Sequence, residues 1–95
     1  MPELKKHTNK IGVACYLRDQ WQLLLDTAED VEKLESTWEE WQKSATRLIR
    51  EMRKQGYDVK EVLIDVDKLN EYCHIHKLPN NSRTRSRYVA ELLSK

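Results

Sequence analysis

The sequence predicts an α+β, mostly helical fold: about four helices with one or two short strands. Three observations carry that expectation. Trp38, Trp41, Ala45, Leu48 and Met52 are spaced by 3, 4, 3 and 4 residues, one stripe of a long helix. Residues 59–66, Val-Lys-Glu-Val-Leu-Ile-Asp-Val, concentrate β-branched and apolar side chains as a strand does. Two further apolar stripes at helical spacing follow, divided by the breakers Leu78-Pro79-Asn80-Asn81.

Residues 1–10 are polar and are expected to form a flexible N-terminal segment, with residues 11–95 as a single compact domain. Ile11 to Cys15 leans towards β structure, and alternation puts Ile11, Val13 and Cys15 on one side. A strand and the approach to a helix both fit so short a run. Trp21, Leu24, Leu25 and Ala28 mark one face of a helix from about Arg18 to Ala28, with Asp19 suiting the dipole at its start. Val31 and Leu34 add a short turn. The long helix, Thr37 to Gln55, opens on a capping box, Ser36 with Glu39 or Thr37 with Glu40. Leu34 can staple its start, Arg53 and Lys54 suit its last turn, and Gly56 can take a left-handed cap. Burial of Trp38, Trp41, Leu48 and Met52 contributes roughly 1.5–3 kcal/mol each before entropy costs, so this helix is the expected spine of the core.

The strand Val59–Val66 needs a partner, either Ile11–Cys15 or the same strand of a second copy. Asp65 or Asp67 then caps a helix to about His76, with Val66, Leu69, Tyr72, Cys73 and His76 on its inner face. Asn81 or Ser82 caps the last helix, which turns Tyr88, Val89, Leu92 and Leu93 inward.

Composition narrows function mainly by exclusion. The chain has 95 residues and a net charge of +1, so no global field draws in nucleic acid. Charge is nevertheless segregated: residues 19–40 carry a net −7 and residues 41–60 a net +4. There is no apolar run of bilayer length and no apolar signal core near the start, so the expected compartment is cytoplasmic, without a membrane partner. Two cysteines, Cys15 and Cys73, are then expected as free thiols.

One segment breaks a local rule. Arg83, Arg85 and Arg87 crowd the start of the last helix, where the backbone already presents positive partial charge. They could bind an anion or a partner, since helix-start amides and guanidiniums suit phosphate or carboxylate. They could equally clamp onto acidic residues 26–40 of this chain or of a second copy. On a helix, Arg83 and Arg87 share one flank and Arg85 lies on the face of Tyr88, Val89 and Leu92. Lys43, Arg47, Arg50 and Lys54 form a second basic flank, on the long helix.

Cys73 and His76, three apart on a helix, are the only metal-like pair; His74 points elsewhere, and Cys15 and His7 have no defined relation to them. A structural zinc site wants four ligands at recognisable spacing, which the sequence lacks. No cofactor fingerprint, glycine-rich phosphate loop or nucleophile–base–acid set is visible, so no catalytic residues and no enzyme activity are expected. The three tryptophans and four tyrosines have core-like helical spacing. Glu39 and Glu40 suit a first helical turn, and Asp65 and Asp67 a strand end and a cap.

Two resemblances arise from these residues. Tyr16-Leu17-Arg18-Asp19-Gln20-Trp21, Thr37-Trp38-Glu39-Glu40-Trp41, Ile64-Asp65-Val66-Asp67-Lys68-Leu69 and Arg87-Tyr88-Val89-Ala90-Glu91-Leu92-Leu93 resemble small uncharacterised bacterial single-domain proteins, some carried on mobile elements. That resemblance implies a cytoplasmic domain and supplies no catalytic residues. Residues 59–93, strand, helix, loop and capped helix, are similar to the ribbon-helix-helix regulators, in which two copies pair strands and lay them in the DNA major groove. Here that strand would present Glu61, Leu63 and Asp65 on one face and Lys60, Val62 and Ile64 on the other, and carboxylates oppose the phosphate term. The expectation is therefore a non-enzymatic interaction or accessory protein that self-associates as a homodimer or binds a protein partner. The alternative is a nucleic-acid-binding regulator using the basic start of the last helix.

Overall fold

A computed structural model describes residues 10–94. Of the segment expected to be flexible, residues 1–10, all but Lys10 lie outside the described residues, His7 among them, and Lys10 is the first residue of a strand. The fold is α+β and mostly helical. Strand β1 (Lys10–Cys15) leads through a 3-10 turn (Arg18–Gln20) into helix α1 (Trp21–Thr27). A second 3-10 turn (Val31–Lys33) precedes the long helix α2 (Trp38–Lys54). Strand β2 (Asp58–Leu63), helix α3 (Val66–His76) and helix α4 (Ser82–Leu93) complete the described chain.

The partner of β2 is β1 of the same chain. The two strands run parallel, with Lys10 opposite Asp58 and Cys15 opposite Leu63. A parallel pair needs a long crossover, and residues 16–57, holding α1 and α2, supply it. Helix α4 covers one face of β1. Gly12 makes that approach close: a Cβ there would lie 2.5 Å from Leu93 Cδ1 and 2.6 Å from Val89 Cγ1.

The core gathers Tyr16, Trp21, Leu24, Ile64, Val66, Leu69, Cys73 and Val89, with Trp38 and Trp41 packed against it. Tyr16 meets Trp21 and Trp41 edge-on at 5.7 and 5.5 Å. Trp38 Nε1 donates to the Tyr16 carbonyl at 2.8 Å, and Trp21 Nε1 to the Glu35 carbonyl at 3.2 Å. Trp21 and Trp38 thus pack in or against the core with their indole N–H groups satisfied, and Trp41 packs against the same cluster.

The caps resolve the sequence alternatives. Thr37 accepts from Glu40 N and caps α2, Asp65 accepts from Asp67 N and Lys68 N and caps α3, and Asn81 accepts from Thr84 N and caps α4. Gly56 takes a positive φ of 96° after α2.

Four boundary or burial expectations are corrected. The strand ends at Leu63 rather than Val66, because Asp65 turns to cap α3 and the Val66 N–H goes to Gln20 Oε1. The helix expected from Arg18 to Ala28 is divided, with a 3-10 turn at Arg18–Gln20 before α1. Leu48 is 50% exposed, and Ile49 is buried in its place. Trp38, Trp41, Ala45, Ile49 and Met52 are spaced 3, 4, 4 and 3, an equally helical stripe, and packing on β2 selects it. His76 is exposed rather than inward, its ring 4.4 Å from that of Tyr72 at the surface.

Candidate functional site

Helix α4 starts against the turn after α1, and the contact is built on Asp30. Arg85, one helical turn into α4, points inward as its helical position requires. Its Nη1 donates to Asp30 Oδ1 at 3.0 Å and its Nη2 to Asp30 Oδ2 at 2.9 Å, a two-pronged pair. The side chains are 10% and 9% exposed. The Ser82 N–H also donates to Asp30 Oδ2, at 3.0 Å. The anion at this helix start is therefore supplied by the chain itself, which offsets the crowding of guanidiniums around the positive dipole end.

The pair sits in a wider polar seam. Arg85 Nη1 also reaches Asn80 Oδ1 at 3.0 Å, Asn80 Nδ2 donates to Asn70 Oδ1 at 2.9 Å, and Asn70 Nδ2 donates to Thr27 Oγ1 at 3.2 Å. The Glu29 N–H donates to the Asn80 carbonyl at 2.8 Å. The seam joins α1, the loop before α4, and α3. Among the described residues no buried side-chain nitrogen or oxygen lacks a partner. Burial pushes the Asp30 carboxyl up, but the Arg85 hydrogen bonds and charge, helped by the Ser82 N–H, more than offset this and leave it below its ordinary value. Burial pushes the Tyr16 hydroxyl up to about 12, although Arg85 opposes the rise.

The other two arginines have different surroundings. Arg87 Nε donates to Glu91 Oε2 at 3.3 Å, and its guanidinium lies 5.9 Å from the Tyr72 ring centre. Tyr72 donates its hydroxyl to the same Glu91 oxygen at 2.6 Å, and this bond is the first cause holding the Glu91 carboxyl low, with Arg87 adding to it. Arg83 is exposed and lines an open depression of about 620 Å³ with Glu29, Glu32, Lys33 and Asn81. The three arginines therefore do not converge on one point. A clamp onto residues 26–40, of this chain or of a second copy, was one of the alternatives the sequence left open, and it did not single out Asp30. Nor did it find Asn70 and Asn80, whose roles depend on a contact across the fold.

The second basic flank is intact as a surface. Lys43, Arg47, Arg50 and Lys54 are all exposed on α2. An open cleft of about 540 Å³ beside them, between α2 and β2, is lined by Thr46, Ile49, Arg50, Arg53, Lys54 and Glu61. Arg53 closes one side by donating to the Val59 carbonyl at 3.0 Å and to Glu61 Oε2 at 3.4 Å. Cys73 and His76 do not form a metal pair: Cys73 faces the core and His76 the surface. Among the described residues no three His, Cys, Asp or Glu side chains gather in a metal-holding group. None of the described helices is long and apolar enough to cross a membrane.

Comparison with protein-family models, curated proteins and solved structures finds no match for this chain.

Proposed function

We propose that the protein is a non-enzymatic interaction protein that self-associates. The observation that carries this reading is an apolar depression at the C-terminal ends of the two strands. Leu17 and Leu63, 54% and 60% exposed, line a hollow of about 280 Å³ with Ile64 in its wall. Asp19, Gln20 and Asp65 form its polar rim. Two large aliphatic side chains exposed together and rimmed by polar groups have the make-up of an interface centre. A second copy is the occupant that fits without any further molecule. A two-fold axis would set Leu17 and Leu63 of one copy against the same two residues of the other.

Sedimentation equilibrium at micromolar concentration tests the reading. The parent protein is expected as a dimer, and Leu17→Glu with Leu63→Glu as a monomer of unchanged helix content. A monomeric parent protein across that range overturns self-association.

A further inference from the structure

We propose that α2 carries a binding surface for the phosphate backbone of duplex nucleic acid, centred on Lys43, Arg47 and Arg50 and continued by Lys54. This surface is separate from the apolar hollow and does not depend on self-association. At 100° per residue these four side chains fall within a sector of about 60°, directly opposite the buried stripe of Trp38, Trp41, Ala45, Ile49 and Met52. The rise of a helix sets them in a line about 16 Å long. All four are exposed.

What distinguishes this flank is that it gathers three cations without counter-charge in one line, whereas Lys33, Lys68, Lys77 and Arg83, also without a carboxylate partner among the described residues, are spread over the second 3-10 turn, α3 and its cap, and α4. Arg18, Arg53, Lys60, Arg85 and Arg87 each lie within 4 Å of a carboxylate. Among the described residues Lys43, Arg47 and Arg50 have no such partner, and Lys54 has only the exposed Glu51 at 3.7 Å. The arginines of α4, the more conspicuous group in the sequence, are largely taken up: Arg85 by Asp30 and Arg87 by Glu91. The cleft beside α2 carries the positive surface round its flank through Arg50, Arg53 and Lys54, with Glu61 already engaged by Arg53.

Charge complementarity selects a polyanion, and the face itself selects among polyanions. Single-strand binding uses exposed aromatic rings as stacking platforms, and the tryptophans of α2 lie on its inner stripe. A membrane-surface helix needs a free apolar face, and that of α2 is turned to its own core. A straight row of cations on a convex helix remains, suited to phosphates in a groove wall.

The test is fluorescence anisotropy with a labelled duplex of mixed sequence, titrated at several salt concentrations. With four cations engaged, log K is expected to fall against log salt with a slope of about −3.6, with little dependence on sequence. Replacing Lys43, Arg47 and Arg50 together by Gln, with the circular dichroism spectrum unchanged, is expected to reduce the slope by about 2.7 and abolish binding at ~50 mM salt. Arg83→Gln is expected to leave both nearly as they were. No duplex binding at ~50 mM salt overturns the proposal. So does a triple variant that binds like the parent, a larger loss from Arg83→Gln, or binding confined to anionic vesicles or an acidic protein.

Discussion

Arg85 and Asp30, 55 residues apart in the chain, meet through two parallel hydrogen bonds of 3.0 and 2.9 Å in a nearly solvent-free seam. The pair converts the least favourable local feature of the sequence into a long-range tie between α4 and the turn after α1. Breaking one side leaves a buried, uncompensated charge, so Asp30→Asn and Arg85→Met are each expected to destabilise the fold by about 3–5 kcal/mol. The double variant Asp30→Asn, Arg85→Met leaves no orphan charge and is expected to lose much less than the sum. Urea unfolding of the four proteins gives the coupling directly. Strict additivity would mean that the pair is not a unit.

The same pair sets an acid limit. The Asp30 carboxyl is held below its ordinary value of 3.8, so as pH falls the unfolded chain takes up that proton before the folded one. The stability it contributes is complete above about 3.8 and is lost as pH drops through the lower folded value. Urea midpoints measured down to a pH of ~2.5 are expected to fall more steeply for the parent than for Asp30→Asn. Glu91, also held low, is present in both proteins, so the difference reports Asp30. Parallel curves for the two proteins would contradict the assignment.

How much of this was legible in the sequence depends on the range of the interaction. The caps at Thr37, Asp65 and Asn81 were readable within one alternative because a cap is decided by neighbours three residues away. The inner stripe of α2 was half readable. Leu48 and Ile49 both complete a helical stripe, and only contact with β2 chooses between them. The parallel direction of the sheet was not readable from short strands. Asp30 was one carboxylate in a run with a net charge of −7, and nothing local distinguishes it from Asp26 or Glu29. Arg85 had a local signal, its place on the apolar face of α4, and that signal pointed inward correctly.

The two thiols are predicted to differ in reactivity. Burial pushes both above their ordinary value, and for Cys15 the nearby Glu61 adds to the rise. Cys73 is 6% exposed in the core, whereas Cys15 is only half-buried in β1. A thiol-specific chromophore at pH ~7.5 is expected to modify Cys15 slowly and Cys73 only at the rate of global unfolding, because the thiolate is the reactive form. Adding urea towards the midpoint is expected to accelerate Cys73 more than Cys15. Comparable rates at both sites in the absence of urea would place Cys73 outside the core.

Gly12 supplies the last prediction. It is the point of β1 over which α4 passes, and both atoms that would meet a new Cβ belong to α4 side chains. Leu93 is half-buried and can turn its Cδ1 aside, but Val89 is 3% exposed, β-branched and fixed at χ1 by its helix. Gly12→Ala therefore cannot be absorbed by a rotamer change and must lift α4 from the strand, at about 1–3 kcal/mol. The polar seam at Asp30 and Arg85 anchors the start of α4, so the displacement is expected to concentrate at its C-terminal half. Val89→Ala removes the blocking Cγ1 at the cost of a small cavity. Gly12→Ala with Val89→Ala is then expected to be more stable than the sum of the two single losses, by about 0.5–3 kcal/mol of coupling. Thermal or urea unfolding of the cycle measures this. A Gly12→Ala protein as stable as the parent would mean that α4 does not rest on β1 at this point.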